Sequence, residues 1–229
     1  MSDFTTTTEQ GLKGEVTTAE PDRFARSIAR RGAESRATVP AVEYSATVAV
    51  DGLLDAISEY GSLTPLLVKA AATALTAHPR ANAAYKDARY ELYGRVNVAV
   101  TLPEGESLVT PVVLDAAAKD AAEIAAELDA HRLTIREGEL HPSVLAGATF
   151  TVLAPTGDDV TVTTPIITSG QAAVLTAGPI RTVPVLRDGA VVPGHICELI
   201  LAADQRVLYG ALATAFLHQV KIELEGAMV

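Results

Sequence analysis

The spacing of apolar residues changes several times along the chain, and each change marks an element. Residues 42–50 alternate, so Val42, Tyr44, Ala46, Val48 and Val50 share one side of a strand whose other side is polar or small. Leu66, Leu67, Ala70, Ala71, Ala74 and Leu75 recur at helical spacing. Pro79 stops that helix just after His78, because a residue preceding proline avoids the α conformation. Extended runs at 96–101, 108–113 and 149–154 enclose an alanine-rich helix predicted over 116–132 and a turn at Gly138. Short strands separated by turn residues are predicted around Thr161, Ala173, Val183, Val191 and Leu199. Leu212, Phe216, Val220 and Leu224, four apart, define a last helix.

The first 21 residues lack this patterning. Low in hydrophobicity and without a sustained period, they cannot offset the entropy of ordering themselves, so a disordered N-terminal arm is expected over 1–21 and one folded domain over 22–229. Asp22 is placed to cap a basic helical stretch that begins with Arg23, Phe24, Ser27 and Ile28 and ends near Gly32. Strands interrupted by helices, neither regularly alternating nor all-strand, predict an α+β fold with a sheet flanked by helices.

Composition narrows the function. A chain of 229 residues can bury roughly 70% of its unfolded surface, so it needs no disulfide or structural metal. Cys197 is the single cysteine and cannot bridge internally, which fits a reducing, cytoplasmic setting. A formal charge of -10, from 18 Lys+Arg against 28 Asp+Glu, argues against nucleic acid as a partner. No apolar run approaches the ~20 residues of a bilayer span, and the threonine-rich start lacks the basic and apolar parts of a signal peptide, so no membrane association is expected. Asp158 and Asp159 beside Gly157 suit plain turn chemistry, and no metal is predicted.

Seven segments, taken in order, carry more information than any one alone: RFARSIARRGAES, TVPAVEYSATVAVDGLLD, LTPLLVKAAATALTAHPRANAAY, GRVNVAVTLPEGESLVTPVV, EGELHPSVLAGATFTV, TTPIITSGQAAVLTAG and ADQRVLYGALATAFLHQVKIELE. Together they resemble the catalytic inner-core domain of the 2-oxo acid dehydrogenase dihydrolipoamide acyltransferases. The resemblance implies a chloramphenicol acetyltransferase-like mixed sheet flanked by helices, a homotrimer with its site between subunits, and coenzyme A or acyl-CoA as co-substrate with no permanently bound cofactor. It also implies a standalone core, since the family's lipoyl and peripheral-subunit-binding domains have no counterpart in the segments.

In that family a histidine in an Asp-His-Arg-x-x-Asp-Gly signature is the general base, the second Asp supports it, and a Ser or Thr after a Thr-Phe-Thr strand binds the oxyanion from the neighbouring subunit. Here the signature reads Asp204-Gln205-Arg206-Val207-Leu208-Tyr209-Gly210, and Leu153 stands where the hydroxyl is expected. All three catalytic positions, Gln205, Tyr209 and Leu153, are therefore substituted. An amide cannot accept a proton near neutral pH, so Gln205 can only orient a group. Replacing a hydroxyl donor by Leu153 removes oxyanion stabilisation of about 3 kcal/mol. Asp204, Arg206 and Gly210 are kept and are expected to hold the corner by an ion pair and a turn; Asp204 and Arg206, with Thr151 and His195, make up the substrate side of the implied site. Tyr209 either fills the volume around the corner or donates a hydrogen bond to an oxyanion.

Among the other histidines, His131, His141 and His218 are expected at the solvent surface, and His195 lies ten residues before Gln205, roughly 33 Å along an extended strand. Only a partner subunit could bring it into the implied site. The resemblance favours an acyltransferase acting on a small-molecule or carrier-bound thioester substrate, with acyl transfer to a hydroxyl in a polyketide- or tetronate-type secondary-metabolite pathway. An inactive trimeric scaffold or regulator, or a cyclisation or elimination enzyme with Tyr209 as donor, are the alternatives. The short ending Glu225-Gly226-Ala227-Met228-Val229 argues against assembly beyond the trimer.

Overall fold

A computed structural model describes residues 6–21, 23–104, 107–139, 141–154 and 163–226. In order, the elements are β1 (Thr6–Gly11), β2 (Gly14–Ala19), α1 (Arg23–Thr38), β3 (Ala41–Ala49), α2 (Leu54–Tyr60), α3 (Thr64–Ala77), β4 (Ala83–Lys86), β5 (Arg89–Leu92), β6 (Val98–Glu104), β7 (Ser107–Val109), β8 (Val112–Val113), α4 (Ala121–Glu137), β9 (Phe150–Leu153), β10 (Ala173–Ala177), β11 (Arg181–Arg187), β12 (Ala190–Asp204) and α5 (Ala211–Gly226).

The main sheet is built around β12. Its residues 196–204 pair antiparallel with β3 on one edge, and 199–203 pair antiparallel with β10 on the other. Parallel pairing then links β10 to β9 and β9 to β6, and β7 and β8 close the far edge antiparallel to β6. This is the expected mixed sheet. Residues 190–196 of β12 pair with β11, so the two strands leave the sheet as a ribbon.

Alternation sorts the two faces. Val98, Val100, Phe150, Val152, Leu175, Leu199 and Leu201 are buried against the helical layer, where α3 packs on α4 and α5. Phe216 of α5 meets Phe150 edge-on at 5.7 Å between ring centres, and the imidazole of His78, which ends α3 as predicted, meets Phe216 at 6.1 Å. Cys197 lies in this core, where burial pushes its thiol up to about 11, so it offers no thiolate near neutral pH. The opposite face is more polar: the Thr151 hydroxyl donates to Gln171 Oε1 at 2.7 Å, and the Thr101 and Thr110 hydroxyls lie 3.3 Å apart.

Several expectations are corrected. Residues 6–19 of the supposed disordered arm form an antiparallel hairpin with Thr6 opposite Ala19 and Gly11 opposite Gly14. Its strands bury no side chain from Thr7 to Ala19. Low hydrophobicity leaves these strands without burial, but β-branched threonines and a Gly14 with φ of 85° let the backbone satisfy itself in a two-stranded ladder. The strands predicted around Val191 and Leu199 are one strand, because Pro193 and Gly194 are accommodated in the ribbon. The predicted helix at 116–132 is a 3-10 turn at Ala116–Ala118 followed by α4. Asp120 Oδ1 accepts from the Glu123 N–H at 2.8 Å while Glu123 Oε2 accepts from the Asp120 N–H at 2.9 Å, a reciprocal cap that fixes where α4 begins. Residues 163–168 are not a strand. Thr161, the Asp22 cap, the Gly157-Asp158-Asp159 turn and residues 227–229 lie outside the described residues.

His131 is also not at the surface. Its side chain is 16% exposed, and Nε2 has no hydrogen-bond partner among the described residues, the nearest acid being Glu127 at 3.8 Å. Burial pushes this imidazole below its ordinary range, against the pull of Glu127. Folding therefore favours neutral His131, a contribution fully present above the unfolded-state value of about 6.5 and lost as pH falls through it towards the lower folded value. On going from about pH 7.5 to about pH 5, the melting temperature of the wild type is expected to fall further than that of His131→Leu. A second prediction concerns the ribbon: a methyl group at Gly194 would sit 2.7 Å from Val185 Cγ2 and 2.8 Å from Cγ1. Valine is stiff at χ1, so Gly194→Ala should cost about 1–3 kcal/mol and lower the thermal midpoint.

Candidate functional site

Strand β12 hands the chain to α5 through residues 204–210, and the geometry of that corner is fixed by Asp204. The Asp204 side chain is 2% exposed. Its Oδ1 accepts from the Arg206 backbone N–H at 3.0 Å and from Nε at 2.9 Å, and its Oδ2 accepts from Arg206 Nη2 at 2.7 Å. The Asp204 carbonyl receives the N–H groups of Val207 and Leu208 at 2.9 and 2.8 Å. Gly210, with φ of +52°, turns the chain into α5 and donates its N–H to the Tyr44 hydroxyl at 3.0 Å. The hydrogen bonds that Arg206 donates to Asp204 raise the Arg206 pKa further, so the guanidinium stays charged. Asp204 and Arg206 thus hold the corner. Asp204 is committed to that task, with its side chain buried.

Gln205 sits on the outside of this frame. Its N–H donates to the Pro40 carbonyl at 2.9 Å, while its exposed carboxamide makes no hydrogen bond to a described residue. Tyr209 does not fill the corner: it is 46% exposed, with the Arg80 guanidinium 5.9 Å from its ring centre. Arg80 also lies 4.1 Å over the Tyr90 ring and donates through Nε to the Val207 carbonyl at 3.1 Å, and Arg206 lies 4.7 Å from the Tyr85 ring centre. The hairpin of β4 and β5 therefore clamps the corner through two guanidinium–aromatic contacts. Arg80, Tyr85 and Tyr90 escaped the sequence reading, since nothing in their spacing signals a contact with a segment more than 110 residues away.

Leu153 ends β9 and packs with Val39, Ile167, Val174 and Ala202. The sheet register places it level with Thr176 and Ile200, five residues short of Gln205. That is roughly 16 Å along the strand and about 10 Å across two strand spacings. One copy therefore does not bring Leu153 to Gln205. Thr151 stands level with Ala202, two strands away, but is 4% exposed with its hydroxyl engaged by Gln171.

His195 lies even farther off. It shares the alternation of Cys197 and Leu199, towards the helical layer, at the end of β12 where the ribbon begins. Its Nδ1 is 2.8 Å from Asp51 Oδ1, and its backbone N–H donates to the same oxygen at 3.0 Å; Arg187 Nη2 donates to Oδ2 at 3.1 Å. The hydrogen bonds from His195, assisted by Arg187, lower the Asp51 pKa. This cluster anchors the ribbon to the turn after β3. His141 caps the turn at Pro142–Leu145, and His218 is exposed. Among the described residues no group of three or more His, Cys, Asp or Glu could hold a metal ion, and no helix is long and apolar enough to cross a membrane.

A mixed sheet with helices on one face, a final strand running into a paired Asp–x–Arg corner, and a candidate site left open within one copy define a chloramphenicol acetyltransferase-like acyltransferase fold. The chain belongs to the 2-oxoacid dehydrogenase acyltransferase catalytic-domain family, whose model matches residues 13–228. It is 31% identical to the mitochondrial dihydrolipoyllysine-residue acetyltransferase component of the Caenorhabditis elegans pyruvate dehydrogenase complex, over 96% of this chain and 47% of that protein. It is 26% identical to the corresponding component of Rickettsia prowazekii, over 88% of this chain and 52% of that protein, so the chain spans about half the length of these curated relatives. A crystal structure of a probable dihydrolipoamide acetyltransferase from Listeria monocytogenes superposes with a TM-score of 0.84 at 27% identity, covering 90% of this chain and 93% of the other. A chloramphenicol acetyltransferase shares the fold alone, with a TM-score of 0.54 at 14% identity over 85% of this chain and 94% of the other.

Two substitutions separate frame from surface at the corner. Arg206→Ala strands a buried carboxylate and is expected to cost roughly 3–5 kcal/mol, whereas Gln205→Ala, on the exposed side, should stay within about 0.5 kcal/mol of wild type. Urea unfolding midpoints of the two variants measure the difference.

Proposed function

We propose that the chain is an acyltransferase core that works as a homotrimer and passes an acyl group between a coenzyme A thioester and an acceptor held at the β12–α5 corner. The observation that carries this reading is the intact Asp204–Arg206–Gly210 frame holding position 205 outward. The acceptor is a small molecule or a carrier-bound group, and a secondary-metabolite hydroxyl is the version that best suits the residues at the corner. With Gln205 in the base position, the acceptor proton must leave by the acceptor's own ionisation or be taken by a group from outside the corner; Gln205 orients the acceptor by hydrogen bonding. The sheet register supports a site shared between copies, since Leu153 and Gln205 can meet only if a second copy supplies one of them. Without a hydroxyl at Leu153, oxyanion stabilisation of about 3 kcal/mol is missing, so turnover is slow relative to a family member with the full signature.

A second reading, a non-catalytic trimer that binds ligand or partner, is favoured by one specific observation: Tyr209 turns to Arg80 and Leu153 into an apolar cluster, so neither offers a reacting group. A cyclisation or elimination with Tyr209 as donor would require that ring to leave Arg80.

Purified protein incubated with acetyl-CoA and a panel of hydroxyl and thiol acceptors is expected to release free coenzyme A and form an acetylated product seen by mass spectrometry, with Gln205→Ala slower by about tenfold. No product and no coenzyme A release, with trimers intact by light scattering, establishes the scaffold instead.

A further inference from the structure

The clamp at the β12–α5 corner holds a cation that no described acid neutralises. Arg80 donates through Nε and Nη2 to the Val207 carbonyl, while its Nη1 has no hydrogen-bond partner and its guanidinium no ion-pair partner among the described residues. Its neighbours on the clamp differ, since Arg206 is matched by Asp204 and Lys86 by Glu91. Two rings flank Arg80, with centres 4.1 Å away for Tyr90 and 5.9 Å for Tyr209, and each tyrosine is 46% exposed. Tyr85 continues the aromatic surface, its ring centre 6.3 Å from that of Tyr90. Tyr209 follows Gln205 by four residues within the same turn. Rings left half open beside an unmatched charge add little to the core, and they suit a flat, charged ligand.

We propose that Arg80, Tyr90 and Tyr209 form the acceptor subsite of the corner, and that the acceptor is a planar, conjugated hydroxyl compound, an enol or a phenol, that arrives as its anion. This rests on the acyl-transfer reading and names the substrate class of that site. Gln205 cannot take a proton, so an un-ionised aliphatic alcohol finds no base there. The permanently charged guanidinium instead favours the ionised form of an acceptor placed beside it. Conjugation supplies both properties at once: it makes the hydroxyl more acidic, and it flattens the molecule into a shape that stacks on a ring. The transfer then balances without a protein base. The acceptor oxygen anion adds to the thioester carbonyl, the new C–O bond forms as the C–S bond breaks, and coenzyme A leaves as its thiolate. The phosphates of coenzyme A match the subsite less well, because one open guanidinium nitrogen meets a single oxygen, whereas a phosphate is held by paired or converging donors.

The test uses 4-hydroxycoumarin, a planar enol ionised at neutral pH, as the probe, with coumarin as its neutral counterpart, benzyl alcohol as an un-ionised hydroxyl and acetyl-CoA as the donor. Calorimetry on the wild type is expected to show the enolate binding about tenfold more tightly than coumarin. Arg80→Gln should weaken enolate binding by about tenfold and raise the KM of the acceptor, while the KM of acetyl-CoA stays unchanged. Arg80 also fastens the hairpin, so Tyr209, an exposed residue, supplies a second pair of variants. Tyr209→Ala should weaken enolate binding several-fold and Tyr209→Phe recover most of the loss, because the ring face makes the contact. Acetyl transfer should slow as pH falls below the acceptor's own pKa, and a less acidic phenol should move that fall to higher pH, a shift that a purely structural role for Arg80 does not produce. Equal binding of the enolate and coumarin, or binding indifferent to both Arg80→Gln and Tyr209→Ala, overturns the proposal. Transfer to benzyl alcohol at the enol's rate overturns it while leaving the acyl-transfer reading in place. An equal rise in the KM of acetyl-CoA overturns it and assigns Arg80 to coenzyme A; a change in oligomeric state in Tyr209→Ala overturns it and assigns the rings to a second copy. Enolate binding that depends on Arg80, without product or release of coenzyme A, keeps the anion subsite and removes the acyl-transfer reading instead.

Discussion

Strand β12 must stay extended for fifteen residues, and most of the molecule is arranged so that it can. Over 199–203 it is hydrogen-bonded on both edges, to β3 and β10, which satisfies backbone groups that would otherwise be buried without partners. From Leu199 to Asp204 every residue is buried. The strand therefore ends with a carboxylate inside the protein, a position that is tolerable only because Arg206, two residues on, turns back to meet it. The ion pair obliges the chain to turn sharply at 205–210, and that turn sets the start of α5, which brings Phe216 onto Phe150. At its other end β12 has no neighbours except β11, and the Asp51 carboxylate, taking hydrogen bonds from His195 and Arg187, fastens it there.

Much of this was legible from periodicity. The alternation at 42–50 became β3, with its even-numbered residues the more buried, and the helical spacings gave α3 and α5 with His78 as the end of α3. These elements each bury one face against a common core, and burial is what hydrophobic spacing records. Elements held by other forces were missed. The hairpin at 6–19 buries no described side chain and is held by its own backbone ladder, so it leaves no hydrophobic trace. The true start of α4 lies in the Asp120–Glu123 cap, a polar signal present in the sequence but masked by the alanine run before it.

The candidate site divides the same way. The Asp204–Arg206 pair was readable through the resemblance of residues 204–210 to the family signature. The clamp of Arg80 on Tyr90, Tyr209 and the Val207 carbonyl joins segments distant in sequence, and no local pattern announces it. The separation of Leu153 from Gln205 became visible only through register, which depends on how β9, β10 and β12 align.

The three substituted positions share a physical property: none strains the fold. The Gln205 side chain lies outside the ion-paired frame, so its identity has little effect on stability. Leu153 joins an apolar cluster with Ile167, Val174 and Ala202, where a hydroxyl would have to find a partner. Tyr209 brings a ring within reach of the Arg80 guanidinium. A residue placed for reaction commonly costs stability, and exchanging it for one that packs or hydrogen-bonds locally recovers that cost. At this corner the groups that hold the chain in place, Asp204, Arg206 and Gly210, are different from the groups that would meet a substrate. The fold can consequently be kept unchanged while the chemistry it presents is replaced, and the identity of residue 205 bears on the reaction without bearing on the architecture.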